Sequence, residues 1–448
     1  MSVANPNMNL LASWINRVTA AHPDAVALIL PDETLSYRNL LDRAHVLAQQ
    51  LECTQGTVLA LQAQAMAELA LSAHAASRLE RAVFPLNPAL PSQRREGVLQ
   101  AAGGPVADGV ELFIATSGTQ GEPKVVMLSS ANLQAGVLAS RSRLPLQVGD
   151  TWLACLPLYH IGGMAILYRC AEAGAAVVLH EGFDPQRVWN DLEKYRITHI
   201  SLVPAMLARL LDICRDSPPP VLRAALIGGG PLSAALAERA RAAGWPICVS
   251  YGMSEAGSQV ATLCDLPQGW IPGQVGSPLP GFEVEVVGED GFATSGIGRI
   301  RIRGAAVMAG YANPQREVGL GLTQGWFTSG DLGHIDVQGN LTVLGRHDDM
   351  LVSGGTNVHP QQVEEVLKRC PGVTDAALTS VEDDIWGDLL VLAVVADAND
   401  EKLEKWCRNE LTGAMRPRRF IRLPALPRNA LGKLDRQALR DLVRQKLE

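Results

Sequence analysis

The sequence contains no CxxC pair, no cysteine and histidine set at zinc-finger spacing, and no apolar run near the roughly 20 residues that a bilayer-spanning helix needs. Structural zinc and a membrane span are therefore not expected. Its start, MSVANPNMNLLASWINRV, lacks the basic stretch, apolar block and small-residue cleavage site of a secretory signal, so a cytoplasmic location is expected. There is also no excess of positive charge. With 39 Lys and Arg against 46 Asp and Glu, the formal net charge is -7, which excludes a general nucleic-acid binder and requires anionic ligands to be held by local sites. The eight cysteines (Cys53, Cys155, Cys170, Cys214, Cys248, Cys264, Cys370, Cys407) are scattered and are expected to be reduced, mostly core thiols. What is present is a chain of 448 residues, 47% hydrophobic and 19% charged, too long for one hydrophobic core and of ordinary globular composition.

From Ala25 onward, short aliphatic runs alternate with amphipathic stretches, as in Val26 to Leu30 followed by Tyr37 to Leu51. This is the α/β pattern, with mixed and parallel sheets flanked by helices. Further buried-strand candidates are Thr151 to Leu156, Ala176 to His180, His199 to Val203 and Ala224 to Ile227. After Gly281 the texture changes to short strands between Gly and Asp turns (Glu283 to Val287, Gly298 to Arg303, Asn340 to Gly345), which reads as a β-rich subdomain. The polar run GRHDDML follows as a boundary. Beyond it, a helix over His359 to Cys370 and strands over Ala376 to Thr379 and Leu389 to Ala396 predict a small α+β C-terminal domain.

Phe113 and Ile114 lead into TSGTQGEPK, Thr116 to Lys124. Its glycines permit close backbone approach, and its N–H groups, hydroxyls and closing ammonium suit a polyphosphate. Taken alone, such a loop is as easily an ordinary turn. It is not a Walker A loop, because Pro123 precedes Lys124 and Val125 follows it. Further along stand LPLYHIGG (Leu156 to Gly163), GGGP (Gly228 to Pro231), YGMSE (Tyr251 to Glu255), TSGD (Thr328 to Asp331), GRHDD (Gly345 to Asp349), SGG (Ser353 to Gly355) and NALGK (Asn429 to Lys433).

In this order, these motifs resemble those of the adenylate-forming superfamily of acyl-CoA synthetases, non-ribosomal adenylation domains and luciferases, over nearly the whole chain. The resemblance implies an acid–thiol ligase acting through an acyl-adenylate, with ATP, Mg²⁺ and coenzyme A. It also implies an adenylation domain over residues 1–346, a hinge at 347–349 and a mobile C-terminal domain over 350–448. Thr116, Ser117, Gly118, Thr119, Gln120, Gly121 and Lys124 are expected at the phosphates. Gly228, Gly229 and Gly230 are expected at the adenine edge, Tyr251 on its face and Ser254 at the α-phosphate, with Gly252 and Met253 also at the nucleotide. Glu255 supplies the hard carboxylate that Mg²⁺ prefers, although a glutamate in an isolated turn is merely solvated. Asp331 is expected on the ribose hydroxyls, where the alternative is a turn cap. Arg346 is expected on the nucleotide, and Asp348 is the expected pivot, with a plain solvated linker as the alternative.

Lys433, in a tail loop, is expected to offset the repulsion between a carboxylate and the α-phosphate, although most surface lysines are only solvated. The C-terminal domain is expected to present Lys433 for adenylation and then to rotate about Asp348 for thioester formation. Three positions depart from what relatives carry: Gln120 stands where Thr is usual, Val125 where Gly is usual, and Asn357 where some relatives place an arginine that holds the adenylate phosphate. Val125 is β-branched, so its backbone must avoid positive φ.

A short N-terminal segment, YGMSEAGSQVAT, PLYHIGGMAILYR and VGSPLPG resemble the o-succinylbenzoate-CoA ligases in particular. A dicarboxylate keeps one anion that needs a partner in an apolar pocket. Arg169 is the candidate, against the bland reading of a solvent-facing helix cap. His160 is expected at the substrate or the thiol channel, Gly162, Gly163 and Met164 in the wall of the acyl pocket, and Ser258 and Gln259 at its polar end. Other acids, or an acyl-carrier protein as acceptor, remain open, as does a non-catalytic binder. Enzymes of this size are commonly symmetric homo-oligomers.

Overall fold

The computed structural model describes residues 9–52, 56–61, 65–103, 109–116, 124–214, 216–313, 317–353, 356–383, 387–428 and 432–447. Ser117, Gly118, Thr119, Gln120 and Gly121 lie outside the described residues, as do Gly354, Gly355, Asn429, Ala430 and Leu431.

Among the described residues, an eight-stranded sheet runs in the spatial order Ser258–Cys264, Ile247–Met253, Ala224–Ile227, His199–Leu202, Thr151–Ala154, Ala176–Leu179, Val26–Ile29, Thr34–Ser36. The inner six strands are parallel and the two outer ones antiparallel. Thr151–Ala154, Ala176–Leu179, His199–Leu202 and Ala224–Ile227 are buried at every position, as strands covered on both faces must be. The strand expected to reach Val203 stops at Leu202, because Pro204 begins a helix, where its missing N–H costs nothing. The helix Tyr37–Leu51 has the bounds expected from its periodicity; the Ser36 hydroxyl accepts from the Asn39 N–H at its start.

A second sheet places Val110–Ala115 beside Val125–Ser129 in antiparallel register, so the phosphate-loop motif is the connection of a hairpin. The β-rich subdomain is an antiparallel sheet in which Phe327–Ile335 pairs with both Gly298–Gly304 and Leu341–Arg346. That register sets Asp331 directly opposite Arg346. Cross-strand pairs such as Glu285–Arg301 brace its rim.

The described residues of 351–447 build a further sheet with two apolar faces, in which Leu351–Ser353 pairs with both Thr356–Val358 and Gly387–Ala396. Along Gly387–Ala396, Leu390, Leu392 and Val394 pack with Val363 and Leu367, while Val391 and Ala393 pack with Leu439 and Val443. The period of two explains why this strand reads as a continuous apolar run.

One expectation is corrected here. Cys155, Cys170, Cys370 and Cys407 are buried free thiols, but Cys248 and Cys264 are disulfide-bonded, with Cα atoms 4.1 Å apart. They face each other in the antiparallel pair at the sheet's edge, a register that linear spacing does not reveal. No helix among the described residues is long and apolar enough to cross a membrane.

Candidate active site

The ends of the phosphate-loop motif are fastened together. The Lys124 carbonyl accepts from the Thr116 N–H at 2.8 Å and from the Thr116 hydroxyl at 3.2 Å. Val125, at the departure from the family pattern, starts a strand, is fully buried and has no positive φ; its N–H donates to Asn313 at 2.8 Å. The β-branched residue therefore suits its place. The Lys124 ammonium stands 4.8 Å from the centroid of the Tyr311 ring, and the Tyr311 hydroxyl donates to Glu255 at 2.8 Å. Tyr311 thus joins the lysine that closes the phosphate loop to the expected metal ligand, although nothing in its short GY context singled it out.

Glu255 sits in a single turn, Ser254–Ala256, closed by Gly257 at φ +62°. The Met308 N–H holds the Glu255 carbonyl at 2.8 Å. The turn joins the strands Ile247–Met253 and Ser258–Cys264, and at its base Gly252 is a steric necessity, because a Cβ there would enter the backbone of Ser258. One Glu255 oxygen takes the Tyr311 hydroxyl; the other has no hydrogen-bond partner among the described residues. A lone half-buried carboxylate with one oxygen to spare suits Mg²⁺, which takes one or two protein carboxylates and completes its shell with phosphate oxygens and water.

Asp331 accepts from the Tyr251 hydroxyl at 2.7 Å and lies 3.4 Å from the Arg346 guanidinium. Each carboxylate oxygen retains a lone pair, enough to accept from a cis-diol. Burial, then the neighbouring Asp331, pushes the Tyr251 phenol well above its ordinary value, so it remains a donor. A Cβ at Gly330, beside Asp331, would stand 2.5 Å from an Arg346 nitrogen, so a larger residue there would push the guanidinium aside.

Lys433 is brought against Gly229. A Cβ at Gly229, which has φ +76°, would be 3.4 Å from Lys433 Cε and 3.8 Å from its Nζ. Burial lowers the Lys433 ammonium from its ordinary value, and Asp331 works in the opposite direction. His160 feels the same lysine. Burial first, and Lys433 second, push its imidazole down to about 4, so it is neutral at physiological pH. His160 precedes the helix Ile161–Ala173 as its N-cap residue, and its carbonyl accepts from the Gly163 and Met164 N–H groups.

That helix carries Arg169, which is not the solvent-facing cap of the bland reading. It is 4% exposed, donates to the Ser258 hydroxyl at 2.9 Å and lies 5.5 Å from the centroid of the Trp152 ring. No carboxylate among the described residues forms an ion pair with it. Burial pushes the guanidinium down to about 10, which still leaves a cation at neutral pH. Ser258 adopts φ +135°, a costly value for a non-glycine residue, three positions after Glu255. A buried cation is thereby set beside the turn that carries the expected metal ligand.

Other expected residues stand differently. Gln259 is 4% exposed, and both ends of its amide are engaged, with Ser140 at 2.6 Å and Thr262 at 2.7 Å. Met164 is fully buried in the core, and Gly163 is required because a Cβ would collide with the Leu156 and Pro157 backbone. Ser140, Thr262, Trp152 and Tyr311 escaped the sequence reading, because their partners lie on other elements.

The fold is that of an adenylate-forming enzyme. Residues 15–107 and 104–312 match the AMP-binding enzyme family and 362–433 its C-terminal domain, so the chain belongs to the AMP-binding enzymes. A 2-succinylbenzoate–CoA ligase of Bacillus licheniformis is 32% identical, with 95% of this chain and 99% of that protein aligned. The o-succinylbenzoate CoA synthetase of Bacillus subtilis, solved with the acyl-adenylate intermediate OSB-AMP, superposes with a TM-score of 0.87 at 30% identity, covering 96% of this chain and 98% of that one. The same enzyme solved with ATP and magnesium ion gives a TM-score of 0.86 at 29% identity, with coverages of 96% and 99%.

Proposed function

We propose that this chain is an ATP-dependent o-succinylbenzoate-CoA ligase of menaquinone biosynthesis, working in the cytoplasm on free coenzyme A. The observation that carries the choice of acid is Arg169, a buried cation with no carboxylate partner among the described residues, which suits it to pair with the anion that a dicarboxylate retains. The names of the relatives support the same reading.

In the first half-reaction, a substrate carboxylate oxygen attacks the α-phosphorus of ATP and pyrophosphate leaves. Lys433 offsets the repulsion between the two anions, Lys124 holds the phosphates, and Asp331 fixes the ribose. Glu255 would hold Mg²⁺, which when bound neutralises phosphate charge. In the second half-reaction, the thiol sulfur attacks the acyl carbon and AMP leaves. His160, being neutral, orients groups by hydrogen bonding and not by charge. The proposed division is 1–346 for the adenylation domain, 347–349 for the hinge about Asp348, and 350–448 for the mobile domain.

The test is to incubate the protein with ATP, Mg²⁺ and coenzyme A and each of o-succinylbenzoate, benzoate, salicylate, anthranilate and octanoate, following AMP and thioester by mass. AMP and thioester from o-succinylbenzoate alone are expected. Turnover of another acid only would reject the assigned substrate, and adenylate without thioester would point to a carrier-protein acceptor. In the same assay, Tyr311→Phe is expected to raise the Mg²⁺ concentration for half-maximal adenylation roughly tenfold, since removing an outer partner of a metal ligand weakens binding by about that much. An unchanged Mg²⁺ dependence rejects that role for Tyr311.

A further inference from the structure

The two acids of the expected hinge are held in different ways. Asp348 is half exposed, with its carboxylate 3.5 Å from Arg346. Arg346 in turn lies in the antiparallel sheet opposite Asp331. Asp349 is only 21% exposed at its side chain and pairs with Arg436 at 3.1 Å. Arg436 also binds Glu364, Nη1 at 3.1 Å and Nη2 at 3.3 Å, and the Leu378 carbonyl at 3.1 Å, while Glu364 accepts from the Leu378 N–H at 2.9 Å.

Arg436 begins the helix Arg436–Leu447, three residues after Lys433. Leu439 and Val443 on that helix are buried in the C-terminal sheet. The Lys433 segment is also held from its other side, where Arg428 donates to the Gly432 carbonyl at 2.9 Å. The described geometry therefore joins Arg346 and Asp348 to the large sheet system, and Asp349 to the unit that carries Lys433.

We propose that the Asp349–Arg436 pair is a latch that makes Asp349 part of the Lys433-bearing unit, confines the pivot to His347 and Asp348, and makes Asp349 and Arg436 positioning residues for Lys433. This rests on the ligase reading above for the role of Lys433. A free Asp349 side chain would leave a longer and looser joint, and Lys433 would be spread over more positions at the reacting phosphate. Small errors of placement are costly where a charge must meet a developing charge. Arg436 serves two carboxylates, so its loss would leave both Asp349 and Glu364 unpaired. Asp349→Asn is the gentler change, because Glu364 keeps its partner.

Three readouts test the latch in the full-length chain: pyrophosphate release with o-succinylbenzoate, thioester formation from synthetic acyl-adenylate, and hydrogen exchange over residues 347–353 and 432–439. Asp349→Asn is expected to lower kcat for pyrophosphate release about tenfold, with the KM for ATP and the Tm little changed. It should lose nothing further in a Lys433→Ala background, and Asp349→Glu should restore most of the rate. Hydrogen exchange over both segments should accelerate. Wild-type pyrophosphate release, or an equal loss with and without Lys433, overturns the latch. If the unmodified chain forms no adenylate from any acid, the ligase reading fails by itself. Hydrogen exchange then decides: faster exchange in Asp349→Asn upholds the latch, and unchanged exchange overturns it.

Discussion

Lys433→Ala is expected to reduce adenylate formation by about 100- to 1000-fold, the usual cost of removing one preorganised charge-stabilising group. Thioester formation from supplied acyl-adenylate is expected to change little, because the α-phosphate has already reacted. The asymmetry is informative: equal losses in both half-reactions would mean that the substitution had disturbed the fold. The position of Lys433 beside Gly229 explains why so much rests on one side chain. The same geometry has a pH consequence. Lys433 works as a cation, and burial lowers its proton affinity from the ordinary 10.5 while Asp331 opposes the shift, so its charge is lost as pH rises through the lowered value. Adenylation should therefore fall on the alkaline side before pH 10.5 is reached, and Lys433→Arg, if active, should carry the fall to higher pH. His160, already neutral, should add no inflection between about pH 5 and 8.

Arg169→Met is expected to reduce kcat/KM for o-succinylbenzoate by about 100-fold or more, the range found when one member of a buried charge pair is removed. Turnover of a monocarboxylate, however slow, should be unaffected or rise. Methionine keeps the unbranched stem against Trp152 and removes a buried cation that has no carboxylate partner among the described residues. The Tm is accordingly expected to hold or increase. Loss of o-succinylbenzoate turnover together with a large fall in Tm would instead make Arg169 a structural residue.

Much of this was legible in the sequence, for identifiable reasons. Strands such as Ala176–Leu179 are covered on both faces and read as short apolar runs, and the helix Tyr37–Leu51 carries both its periodicity and its cap. Glu255, Asp331, Arg346 and Lys433 stood out because each lies in a short ordered motif. Pairings between distant elements were not legible. Tyr311 reaches Glu255 from 56 positions away, and Arg436 reaches Glu364 from 72. The disulfide between Cys248 and Cys264 depends on a strand register that no spacing rule supplies. Arg169 was visible as a residue, but its burial was not, and burial is what turns a helix-end arginine into a candidate for recognising an anion.

The most direct test compares kcat/KM for o-succinylbenzoate with that for its two monocarboxylate analogues, 4-oxo-4-phenylbutanoate and 2-butanoylbenzoate, following AMP and CoA thioester together. One of the two analogues keeps the reacting carboxylate and lacks the other anion. The account predicts thioester from o-succinylbenzoate at a kcat/KM about 100-fold or more above either analogue. Comparable turnover of one analogue would leave an acid–thiol ligase but contradict recognition of a second carboxylate by the buried Arg169.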